Sequence, residues 1–115
     1  MSKFIEVSKI EELKSGTMKA VIVEGREILL ARVGDNYYAT DNRCPHMKGD
    51  LSQGKLEGTV VTCPLHGSQF DISNGRVIRW LKGGLMSKIG QAFSMSRNLT
   101  VYNVRVEDGR VLVEV

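Results

Sequence analysis

Residues 44–71 read CPHMKGDLSQGKLEGTVVTCPLHGSQFD, and both cysteines and both histidines of the chain fall inside them. One residue separates Cys44 from His46. Sixteen residues later comes a second pair, Cys63 and His66, with two residues between them. Each short loop therefore offers one thiolate and one imidazole. A lone Cys or His is usually a packing residue, but packing alone describes two matched pairs poorly. Zinc accepts two thiolates and two imidazoles in a tetrahedron, although zinc fingers usually pair Cys with Cys and His with His. The mixed pairing also suits a two-iron cluster, in which facing loops place both cysteines on one iron and both histidines on the other.

Pro45 and Pro64 are the only prolines, and each follows a Cys. A fixed φ and a missing N–H stiffen the loop there; a plain turn role is equally compatible. Gly49, Gly54 and Gly67 permit close backbone approach. Outward from these loops the chain alternates short Val/Ile-rich runs with Gly, Asp and Asn. Runs 4–7, 19–23, 27–33, 37–40, 59–62, 69–72, 76–79, 100–106 and 110–115 read as strands. Turns at 24–25, 34–36, 73–75 and 107–109 hold residues that tolerate positive φ. Many short strands joined by such turns imply an all-β sandwich or barrel. One helical turn is expected over 8–13, where Ser8 and Glu11 have capping-box spacing. Two segments break the rhythm. Residues 44–58 show little β character. Residues 81–98 contain Gly83, Gly84 and Gly90, with Leu85, Met86, Ile89 and Phe93 near a helical period.

A length of 115 residues favours one domain. No apolar run approaches the roughly 18 residues of a membrane span, and the opening MSKFIEVSKI lacks the pattern of a secretion signal. Two cysteines make no disulfide framework. A cytoplasmic location with both thiols available is the expectation. The net charge of +3 is unevenly spread. Between Asp71 and Glu107 stand Arg76, Arg79, Lys82, Lys88, Arg97 and Arg105 and no acidic residue. This basic stretch, 76–105, reads either as a solvated face or as a docking surface for an acidic partner. No stacking motif accompanies it, so nucleic acid is not expected. No P-loop, dinucleotide fingerprint or Ser-His-Asp set is visible. With both histidines used, none remains for a non-haem oxygen-activating iron site. The chain reads as an electron carrier without a substrate site of its own.

Residues 41–77, DNRCPHMKGDLSQGKLEGTVVTCPLHGSQFDISNGRV, closely resemble the Rieske ferredoxin family, with a looser likeness across 4–40 and 101–115. The resemblance implies one [2Fe–2S] cluster held by Cys44, His46, Cys63 and His66. It implies an antiparallel β-sandwich base, residues 1–43 and 73–115, with a small inserted cluster-binding lobe, residues 44–72. It implies transfer of single electrons from a flavin-dependent reductase to a terminal oxygenase, with His46 and His66 at the exit edge. A fixed subunit of a larger oxidoreductase, such as the small subunit of a nitrite reductase or an oxidase, and a redox sensor are the alternatives. Two neutral imidazoles in place of two thiolates make such a site less anionic, so potentials run from roughly −150 to +300 mV rather than about −400 mV. High-potential members carry an extra disulfide between the loops, at positions that are Gly49 and Leu65 here. They also place a hydroxyl two residues after the second His, kept here as Ser68, and a Tyr four residues after it, where this chain has Phe70. With one of two side-chain donors missing and no disulfide, the lower half of the range is expected. Family members cover the cluster with a short third loop containing proline. Here the corresponding 81–98 is longer and has no proline, which reads either as a plain surface insertion without a role or as an altered cover, partner contact or both, with Trp80, Leu85, Met86, Ile89 and Phe93 as the docking or self-association residues.

Overall fold

The run Ile28, Leu29, Leu30, Ala31 is the most deeply buried stretch among the described residues, with each residue at most 1% exposed. It lies in β3 (Arg26–Val33) of a computed structural model that describes residues 3–44, 49–65, 67–79 and 98–115. Side chains alternate across a strand, so this run feeds two cores. Ile28 and Leu30 pack with Leu13, Val23, Ala39, Val111 and Val113. Leu29 and Ala31 pack on the other face with Cys44, Leu51, Val61, Cys63, Phe70, Ile72 and Leu99. An unbroken apolar run is what a strand covered on both faces requires.

Three antiparallel sheets build these cores. The first has the order β1 (Phe4–Lys9), β11 (Arg110–Glu114), β10 (Val104–Glu107). The second runs β2 (Thr17–Val23), β3, β4 (Asn36–Asp41), β9 (Val101–Tyr102). The third runs β5 (Lys55–Glu57), β6 (Val60–Thr62), β7 (Gln69–Asp71), β8 (Val77–Arg79). The fold is all-β and antiparallel, as the sequence implies. Two hairpins close on two-residue turns, Glu24-Gly25 and Asp108-Gly109, whose residues all have positive φ. That is the turn whose twist matches paired strands.

Three sequence expectations need correction. Residues 44–58 contain a strand after all, β5, which pairs with β6 from Lys55↔Thr62 to Glu57↔Val60. Its Lys-Leu-Glu sequence shows one apolar residue between two charges, too short a pattern to register. The run 100–106 is two strands in different sheets, β9 and β10. The chain switches sheets at Asn103, whose carbonyl accepts the Glu114 N–H at 2.9 Å and whose Nδ2 donates to Glu114 Oε1 at 2.8 Å. The helical turn is a 3-10 turn, Ile10–Glu12, capped one residue later than expected. Glu12, not Glu11, accepts the Lys9 N–H at 3.0 Å, because β1 pairs as far as Lys9↔Arg110 and carries Ser8 within the sheet. The helical pattern in 81–98 falls almost wholly outside the described residues. No helix among the described residues is long and apolar enough to cross a membrane.

Candidate metal centre

The first loop leaves β4 through Asn42, Arg43 and Cys44. Asn42 is fully buried, and a buried amide must find partners. Its Nδ2 donates to Asp50 Oδ1 at 2.8 Å and its Oδ1 accepts the Ser52 N–H at 3.0 Å. Its backbone carbonyl accepts the Leu51 N–H at 2.9 Å. Asp50 also accepts from the Ser52 N–H at 3.1 Å and from its hydroxyl at 2.6 Å, capping the 3-10 turn Leu51–Gln53. Arg43 forms an isolated bridge to Asp50 and an ion pair with Glu27 at 3.0 Å. The Cys44 N–H donates to the Gly49 carbonyl at 2.9 Å. These contacts close the neck of the loop independently of anything it holds. Hydrogen bonds from Ser52 and then Asn42 keep the Asp50 carboxyl below the ordinary range, against the opposing effect of burial.

The second loop leaves β6 at Cys63 and returns at Ser68 into β7. The Cys63 N–H donates to the Ser68 carbonyl at 2.8 Å, and the Gly67 N–H to the Cys63 carbonyl at 3.1 Å. Gly67 has φ of 75°, the left-handed conformation this tight return needs. Ser68 is fully buried, while Pro64 and Leu65 face solvent. Phe70, also fully buried, belongs to the same core as both cysteines.

Three of the sequence-predicted site residues, Cys44, Cys63 and Ser68, are therefore buried, and the two cysteines share the core on the Leu29 and Ala31 face of β3. His46 and His66 lie outside the described residues, as do Pro45, Met47 and Lys48. Accordingly, no group of three or more metal-binding side chains is assembled among the described residues. The two loops meet closely at Gly49, where a Cβ would lie 2.8 Å from Cys63 Sγ and 3.1 Å from Cγ of Leu65. Positions 49 and 65, which carry the extra cysteines in high-potential members, thus face one another. Two soft thiolate donors buried in one core, one on each loop, suit an iron–sulfur group. The Asn42–Asp50–Ser52 neck was not singled out in the sequence. Its signal was there: an Asp followed two residues later by Ser is a common cap at the start of a helical turn.

Residues 3–84 match the family model described as the Rieske [2Fe–2S] domain. The chain belongs to the Rieske family. Its cofactor is one Rieske [2Fe–2S] cluster, and its work is one-electron transfer. The ferredoxin component of a naphthalene 1,2-dioxygenase system from Pseudomonas putida is 32% identical over 112 residues, spanning 97% of this chain and 95% of that one. Among solved structures, the ferredoxin of carbazole 1,9a-dioxygenase from Nocardioides aromaticivorans IC177 superposes with a TM-score of 0.81 at 26% identity, covering 96% of each chain. A complex of reduced oxygenase and oxidised ferredoxin in carbazole 1,9a-dioxygenase contains a chain similar at 29% identity and a TM-score of 0.77, covering 95% of this chain and 99% of that one.

Proposed function

We propose that this Rieske protein is the diffusible carrier of a multicomponent oxygenase system, taking single electrons from a flavin-dependent reductase and delivering them to a terminal oxygenase. The observation that carries this reading is similarity to a dioxygenase ferredoxin component that spans 97% of this chain and 95% of that one. The solved complex of a similar ferredoxin with its oxygenase supports the delivery step.

In this reading Cys44 and Cys63 hold one iron and His46 and His66 the other. The bound group takes up and releases one electron; the chain supplies everything else. The Asn42–Asp50–Ser52 neck and the Cys63–Ser68 backbone bond hold the thiolates in place before and after transfer, which keeps reorganisation small. Leu29, Leu51, Val61, Phe70 and Ile72 exclude water from the inner side. Ser68, buried and fixed through its carbonyl, is the hydroxyl assigned to donate to the cluster sulfurs and stabilise the reduced state. The reading of a base, 1–43 and 73–115, with an inserted cluster lobe, 44–72, draws support from a separate third sheet whose strands β5, β6 and β7 lie in the lobe, while its edge strand β8 (Val77–Arg79) comes from beyond residue 72. The chain works in the cytoplasm, where thiols stay reduced, and has no substrate site of its own. Docking through the basic stretch 76–105 would use its exposed cations. Arg76 and Arg105 are both exposed, and Arg105 also pairs with Glu107 at 3.3 Å and stacks over Phe4 at 4.1 Å in the first sheet.

The test is reconstitution. Purified protein should be reduced by a flavin-dependent reductase and reoxidised by a Rieske oxygenase within the turnover time of the system. Omitting it should stop aromatic-ring oxidation. Tight co-purification with one large partner, without exchange of free carrier, would favour the fixed-subunit reading instead.

A further inference from the structure

The two loops touch at a point that neither thiolate accounts for. Gly49 is buried and fixed, since its carbonyl accepts the Cys44 N–H at 2.9 Å. A Cβ built on it would lie 2.8 Å from Cys63 Sγ and 3.1 Å from both Cγ and Cδ1 of Leu65. The Leu65 side chain is 55% exposed, yet its inner face rests on the backbone of the opposite loop. An apolar side chain at a loop tip ordinarily gains little. Here it lies against the same point of the opposite loop, beside Cys63 Sγ.

We infer that Gly49 and Leu65 form a latch between the loops: Gly49 leaves the space that the Cys63 sulfur occupies, and Leu65 seals that space from water. Both are positioning residues acting through Cys63, so the inference rests on Cys63 being an iron ligand. An unbound thiol can turn about χ1 to another staggered well. An iron-bound thiolate cannot turn without moving the metal. A Cβ at position 49 is therefore tolerated by the empty chain and not by the loaded one. Water admitted beside the sulfur stabilises the more negative reduced state, so opening the seam raises the potential.

Leu65→Ala, Leu65→Met, Gly49→Ala and Cys63→Ser test this in the isolated protein, with no partner present. Leu65→Ala should lose its visible absorbance several-fold faster than wild type and show an upward shift in potential, and Leu65→Met should restore both. Gly49→Ala should keep the far-UV circular dichroism of the apo chain while its iron content falls several-fold or its EPR line shape changes. Leu65→Ala indistinguishable from wild type in lifetime and potential, or Gly49→Ala fully loaded with unchanged spectra, overturns the latch. If Cys63→Ser keeps the wild-type spectra, the ligand assignment fails instead. Loss of the cluster there, with the other variants silent, overturns the latch alone.

Discussion

At the scale of single residues, chemistry was legible where it depends on rare donors. Two cysteines and two histidines in paired spacing pointed to a cluster, and the structure buries Cys44 and Cys63 in one core. Asn42 was not legible, because an Asn at the end of a strand reads as a turn. Only the folded chain shows its amide spanning the loop neck to Asp50 and Ser52. Asn42→Ala removes partners from buried groups and should cost about 1–3 kcal/mol, read as a lower denaturation midpoint of the holoprotein. A change within about 0.5 kcal/mol, what a neutral surface substitution gives, would mean the neck holds without it. Phe70 offers a second test. It is fully buried beside both cysteines, so Phe70→Tyr introduces a hydroxyl that must find an acceptor, and the cluster sulfurs are anionic. Its reduction potential should rise, by protein-film voltammetry; an unchanged or lowered value contradicts the proposed environment.

At the scale of elements, strands were readable where Val/Ile-rich apolar runs ended in turn residues, as in β3 and β11. The three-residue β6, β7 and β8 were readable too, but β5 was not, since one apolar residue between two charges defines no pattern. The connections around the site depend on acidic caps. Asp71 accepts from the Ser73 hydroxyl at 2.6 Å and its N–H at 2.9 Å, as Asp50 does from Ser52. Both carboxyls are held below the ordinary Asp value of 3.8, chiefly by those serine hydroxyls. A carboxyl lowered in the folded state stabilises it above the unfolded value, and that contribution is lost as pH falls through the folded one. Holoprotein should therefore be indifferent to pH well above 3.8 and weaken below it, with visible absorbance lost in that window. Ser52→Ala should move the midpoint to higher pH. An acid midpoint unmoved in that variant would show that the Asp50 cap plays no part.

At the scale of the molecule, β3 divides the interior into two cores, and the cysteines belong to only one of them. The unbroken apolar run Ile28 to Ala31 suits a strand covered on both faces, as β3 is. Nothing in the sequence announced which face the loops would pack on, because that depends on pairing between residues far apart in the chain. Removing the cluster leaves the ligand loops without their organising centre. Hydrogen exchange in the apo chain should accelerate most in β5 to β8, while β1, β10 and β11, packed on the other core, keep most of their protection. Uniform acceleration across all three sheets would instead mean that the two cores unfold as one unit. The central claim, a two-iron cluster with mixed thiolate and imidazole ligands, is tested most directly by EPR of the dithionite-reduced protein with iron and sulfide analysis. The expected result is two irons and two sulfides per chain with a Rieske-type signal; zinc in place of iron, or the signal of an all-cysteine cluster, would contradict it.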